Sequence, residues 1–166
     1  MANLKQLTFA VAGLIVSLFL SPTVAGAAAS NDRSLIAMGL CSQMERLVNA
    51  LVDYASTECL PNISDKESAS FIFIVDKPIF SVEASKKAWI LVVVAAVGKT
   101  LNDESSYSAD KILFADLSMA KEKNYYTVSA GLAKSLQRKV NNGEINLATM
   151  WSEVTAALKP FIIKPK

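Results

Sequence analysis

Hydrophobic and polar positions along this chain follow two periods, and the places where one gives way to the other mark seven elements. Ile36, Leu40, Met44, Leu47, Leu51 and Tyr54/Ala55 recur at steps of three and four, the spacing of an amphipathic helix whose far limit is Pro61. Ser42 with Glu45 three residues on is a capping-box pair, so this helix starts either there or near Asn31. Pro61 to Ala69 is polar and turn-rich. Phe71-Ile72-Phe73-Ile74-Val75 then shows no helical period and consists of β-branched and aromatic residues, which predicts a strand. Because both of its alternating faces are apolar, it is expected inside a sheet and covered on both sides.

After Lys77-Pro78, Ser81 is placed to cap a second helix with Glu83 in its first turn, running to about Leu101. The centre of that helix, Trp89 to Val94, is apolar all round. Its Val and Ile residues suit a strand, but the length of the segment and its Ala-rich, Lys-flanked ends favour a buried helix. Asn102 to Ala109 is a polar loop. Ile112 to Leu117 and Tyr125 to Val128 read as the two strands of a hairpin about a turn at Ala120 to Lys123. Leu132, Leu136 and Val140 mark a third helix stopped by Asn141-Asn142-Gly143; Leu147, Trp151, Val154 and Leu158 mark a fourth, ended by Pro160. The expected class is α+β, with the order α-β-α-β-β-α-α and a small, mostly antiparallel three-stranded sheet packed by about four helices.

The first 29 residues stand apart from this pattern. Lys5 provides a basic start, Phe9 to Leu20 an apolar core, and Pro22 a break before Ala25 and Ala27, the small residues of a signal-peptide cleavage site. Cleavage after Ala27 or Ala29 leaves one domain over residues 30–166. The apolar run is shorter than the roughly 20 residues a spanning helix needs, and no cysteine lies near the site to take a lipid. The product is therefore expected to be extracytoplasmic, periplasmic or secreted, with no stable membrane span after cleavage.

The chain has no histidine. That removes the usual general base, the His-activated nucleophiles and the commonest zinc ligand. Ser108-Ala109-Asp110-Lys111 and Ser118-Met119-Ala120-Lys121 match the Ser-x-x-Lys spacing, yet neither opens a helix and the companion motifs are missing. Gly98-Lys99-Thr100 has the closing triplet of a phosphate loop but sits at the end of an apolar helix, with Val93 where the first glycine belongs. Asp103, Glu104 and Asp110 flank a serine-rich loop without the calcium-loop spacing. Asp116, inside an apolar strand, is expected to face solvent or to line a pocket. Asn62-Ile63-Ser64 is a glycosylation sequon where the host glycosylates. No catalytic residue, cofactor or metal is expected.

Cys41 and Cys59 are the two cysteines, eighteen residues apart. On one continuous helix they would lie roughly 27 Å apart, far beyond the ~7 Å Cα limit of a disulfide. Three arrangements stay open: the helix folds back and the pair bonds within the chain, the pair bonds across an antiparallel homodimer centred near Ala50, or both thiols remain free or buried.

Charge is nearly balanced at +2, but acids prevail from Asp32 to Asp110 and bases from Lys111 onward. Such asymmetry suits self-association or docking on an acidic partner. Lys134, Arg138 and Lys139 on the third helix, with Tyr125 and Tyr126 on the last strand, are the candidate partner contacts. The basic residues do not alternate with exposed aromatics, so nucleic acid is not an expected partner. The function expected is non-enzymatic, binding a protein partner or a second copy as an accessory or assembly factor. A carrier with a cavity between the second helix and Phe71 to Val75, and a hydrolase working without histidine, are the alternatives.

Overall fold

The computed structural model describes residues 33–63, 69–116 and 125–161. The segment expected to be a signal peptide, residues 1–29, lies outside them, as do the expected turn at Ala120 to Lys123 and the Ser118/Lys121 pair. The described chain is α+β, with four α-helices and one five-stranded mixed sheet. Helix α1 spans Arg33–Leu51, strand β1 Thr57–Ile63, β2 Ala69–Val75, helix α2 Glu83–Asp103, β3 Ala109–Asp116, β4 Tyr125–Ser129, helix α3 Ala130–Asn141, helix α4 Leu147–Ala157 and β5 Lys159–Phe161. A 3-10 turn at Ile79–Ser81 precedes α2.

The expectation of three strands is corrected at both edges of the sheet. The first helix ends at Leu51, ten residues before Pro61, and the chain turns back to form β1 with Pro61 inside it. Proline is tolerated there because β1 is an edge strand, where one N–H per two residues has no ladder partner to meet. At the other edge Pro160 sits in the three-residue β5, after α4 has already stopped at Ala157. The helical stripe of α1 is also turned by about one residue. Ala37, Leu40, Cys41, Met44 and Val48 are buried, while Ile36 is exposed. The helix begins by Arg33 and not at Ser42. Ser81 does not cap α2 either: its hydroxyl donates to the Pro78 carbonyl at 2.9 Å, and Val82 holds the cap position.

The strands lie in the order β1-β2-β3-β4-β5, with β2 and β3 parallel and every other pair antiparallel. A parallel pair needs a crossover, and α2 supplies it. Cross-strand partners point to the same face of a sheet. The register therefore puts Thr57, Val75 and Asp116 in one row and Cys59, Phe73, Phe114 and Tyr126 in the next, on the inner face. Trp89 of α2 meets that face. Its ring packs edge-on to Phe114 at 5.9 Å, and its Nε1 donates to Thr57 Oγ1 at 2.9 Å. Helices α1, α3 and α4 each contact α2, so the helices gather on this side.

Helix α2 is buried from Trp89 to Leu101 apart from Leu91 and Lys99, while its first turns are not. A run of Val residues stays helical here because its neighbours cover it from every side, which outweighs a propensity difference of a few tenths of a kcal/mol per residue. Gly98 marks the tightest approach. A Cβ there would collide with the Ala133 carbonyl oxygen and stand 2.7 Å from Cβ of Gln137, so α2 and α3 can come this close only without a side chain.

Candidate functional site

Helix α1 and strand β1 are joined by a stripe of three residues, four apart on the helix. Cys41 is disulfide-bonded to Cys59, with their Cα atoms 5.4 Å apart. Glu45 Oε2 accepts from the Cys59 amide at 3.0 Å. Asn49 accepts from the Thr57 amide and donates to the Thr57 carbonyl, both at 2.8 Å. From Asn49 to Glu45 the helix rises about 6 Å and from Thr57 to Cys59 the strand rises about 6.7 Å, so these two contacts stay in step, and Cys41 meets the same residue as Glu45. The outward donors of β1 are thus occupied at Thr57 and Cys59, and Pro61, the next in that series, has none. This edge is closed to strand addition. The cysteines bond within the chain because the reversal after Leu51 brings β1 back alongside α1. The reading of one unbroken helix through Cys59 misses it; Cys41, Glu45 and Asn49 on one stripe were its trace in the sequence.

The residues with chemical potential are tied into the fold. Asp116 is buried, so of its two expected settings it does not take the solvent-facing one. Its register opposite Val75 sets it on the inner face, and its Oδ2 accepts from the Phe80 amide at 3.1 Å. That contact seats the Phe80 ring 5.7 Å from both Trp89 and Tyr126. Ser108 precedes β3 and Lys111 lies inside it, beyond the bulged residue Asp110, so the pair does not share the single helical turn on which the Ser-x-x-Lys spacing depends. The Gly98-Lys99-Thr100 triplet is helical, and Lys99 pairs with Asp103 at 2.8 Å. Glu104 accepts from the Ser106 hydroxyl. Among the described residues no three His, Cys, Asp or Glu side chains gather as a metal site would require. The Tyr54 phenol, donating to the Ser85 carbonyl at 3.0 Å, is pushed up to about 12 by burial, with the Asp53 carboxylate adding to the shift.

Lys134, Arg138 and Lys139 come together in one shallow groove of about 490 Å³, with Gly131, Ser135, Asn142 and Glu144. The groove exists because Ser129 caps α3 by accepting from Gly131 N at 3.2 Å, and because Gly143, at φ +72°, turns the chain back so that the Glu144 amide meets the Lys139 carbonyl at 2.9 Å. Two of its three cations already have work in the fold. Arg138 Nε donates to Asn102 Oδ1 at 3.2 Å, Lys139 pairs with Glu153 of α4 at 3.6 Å, and both complement the carboxyl end of α3.

Tyr125 and Tyr126 lie apart from that groove and from each other. Tyr126 is on the inner face against Phe80; Tyr125 is on the outer one. The outer face is the larger uncommitted surface. One complete row crosses all five strands: Leu60, Ile72, Leu113, Thr127, Lys159. The row on one side of it holds Glu58, Ile74 and Ala115, with Tyr125 continuing it on β4; the row on the other side holds Asn62, Ser70, Lys111 and Ser129. Leu60 is 40% exposed and Ile72, Ile74 and Tyr125 are half-buried, while Leu113 and Ala115 on the central strand of this face are buried. Strand β2 is internal as expected, but its Ile72/Ile74 side is not covered as its Phe71/Phe73 side is. Sequence alternation alone cannot tell a face packed by helices from an apolar face left partly exposed.

Compared with protein-family models, with curated proteins and with solved structures, the chain matches none. Among the described residues no helix is long and apolar enough to cross a membrane.

Proposed function

We propose that this is a non-enzymatic protein of an extracytoplasmic compartment that binds a protein on the outer face of its sheet. One observation carries the reading: Leu60, Ile72, Ile74 and Tyr125 form an apolar surface on a sheet whose other face takes all four helices. Apolar patches of this kind on soluble domains are interaction sites more often than ornament. The Cys41–Cys59 disulfide supports an oxidising compartment, in line with the leader-like first 29 residues. The carrier alternative loses ground because Trp89, Phe71, Phe73 and Phe114 are fully buried where its cavity would lie.

A photo-crosslinking residue at position 60 of the full chain, produced in its own host, tests this. A discrete protein adduct is expected from position 60 and none from Ser152, which is exposed on α4. No adduct from position 60 contradicts the proposal.

A further inference from the structure

We infer that the basic groove along α3 is a second binding site, one that takes an acidic stretch of extended polypeptide. It lies on the helical side of the sheet, where α3 packs on α2, and does not depend on the outer face.

Helix α3 carries Lys134, Arg138 and Lys139 and no acid between Ala130 and Asn141. Lys134 and Arg138 are four residues apart, the spacing at which like charges on a helix repel and a carboxylate would be the stabilising choice. The nearby acids do not answer them. Glu153 of α4 meets Lys139 at a long 3.6 Å, and Glu144, the carboxylate at the groove's end, accepts from the Asn142 side chain at 2.9 Å. Lys134 has no ion-pair partner among the described residues.

Arg138 is held in place for a ligand. Asn102 of α2 donates to the Lys134 carbonyl at 3.1 Å and accepts from Arg138 Nε at 3.2 Å, so one side chain grips α3 at two successive turns. With Nε turned to α2, the two terminal amino groups of the guanidinium are the donors left to the groove, and they form a fork that fits a carboxylate.

Spacing favours a peptide. Lys134 and Arg138 are separated by about 6 Å of helical rise, and alternate side chains of an extended chain by about 6.7 Å. Acids at every second residue therefore reach both cations in turn. From Gly131 to Asn142 the groove follows about 16 Å of helix, room for about five extended residues. It is too shallow to enclose a small molecule. Among its described lining residues there is no aromatic ring, the platform on which nucleic-acid bases stack.

Fluorescence anisotropy of a labelled hexaglutamate peptide, titrated at low ionic strength with the protein purified from its host, tests this. The signal should rise to saturation, and raising the salt from about 20 to about 200 mM should weaken binding roughly tenfold. Lys134→Gln and Arg138→Gln should each weaken it roughly threefold. Asn102→Ala removes no charge and should still weaken it, because Arg138 loses its hold. Lys111→Gln removes an exposed cation from the outer face and should change nothing. A thermal melt of each variant checks that the fold is kept at the assay temperature. No rise in anisotropy overturns the inference, as does binding indifferent to Lys134→Gln, Arg138→Gln and Asn102→Ala. Equal weakening by Lys111→Gln overturns it too, since diffuse surface charge would then account for the binding. If polygalacturonate competes for the groove with the same variant pattern while hexaglutamate does not bind, the site takes a carbohydrate and the acidic-peptide inference fails.

Discussion

Asn49 holds the backbone of Thr57 with two hydrogen bonds of 2.8 Å, one accepted and one donated, in the manner of a neighbouring strand. Thr57 is itself buried and carries the Trp89 indole on its hydroxyl, so the edge of the sheet and the centre of the core meet at one residue. Asn49→Ala leaves an amide and a carbonyl of a buried residue without partners, at a cost of about 1–3 kcal/mol. Urea denaturation measures the loss, and exchange of the Thr57 amide should speed up alongside it. Unchanged stability with unchanged exchange would contradict the closed edge.

Removing the disulfide acts on the same contact from the unfolded side. The bond closes a loop of eighteen residues in sequence separation, worth about 3 kcal/mol in chain entropy. Cys41→Ser/Cys59→Ser should lower the unfolding free energy from urea melts by that amount, seen as a lower midpoint. A stability within about 0.5 kcal/mol of the parent would mean the reduced chain keeps α1 against β1 unaided.

Gly98→Ala puts two effects in opposition. Alanine is the better helix former by about 1 kcal/mol, but its Cβ would collide with the Ala133 carbonyl oxygen, a backbone atom that cannot move without shifting α3. Overpacking of this kind costs about 1–3 kcal/mol or more. The net expectation is a less stable protein, seen as a lower melting temperature. A gain in stability would show that the two helices stand further apart.

The Tyr54 phenol ties stability to alkaline pH. Its folded value is pushed up to about 12 from an ordinary 10 by burial, so the folded state holds a proton that the unfolded chain releases first. That contribution is whole below pH 10 and is lost as pH rises from 10 to 12. Tyr54→Phe removes it along with the bond to the Ser85 carbonyl. Stability plotted against pH should fall less steeply between 10 and 12 in the variant than in the parent; parallel curves would contradict the burial of this hydroxyl.

Periodicity made the helical core and the internal strands readable, because Leu136 or Phe73 can satisfy its apolar character only by facing inward. The edges of the sheet were not readable in the same way. Pro61 and Pro160 stop helices by rule, and nothing in their near neighbourhood says that the chain goes on as a strand, since what permits β1 and β5 is a partner distant in sequence or across a turn. Asp116 misled for a related reason: an acid in an apolar strand signals solvent unless a backbone donor such as the Phe80 amide lies in wait, and that donor is thirty-six residues away. Of the candidate contacts, Lys134, Arg138 and Lys139 share a helix and so were legible as a group. Tyr125 could be assigned to the outer face only once the register of β3 and β4 was fixed.

Hydroxyl-radical footprinting in dilute solution tests the central claim, that this sheet is packed on one face and open on the other. The two faces alternate residue by residue along β2, which makes each a control for its neighbour. Ile72, Ile74, Leu60 and Tyr125 should be oxidised readily, while Phe71, Phe73 and Phe114, fully buried, stay protected. Equal protection of Ile72 and Ile74 with Phe71 and Phe73 in the monomer would mean that the chain covers both sides of its own sheet, and the account of an open docking face would be wrong.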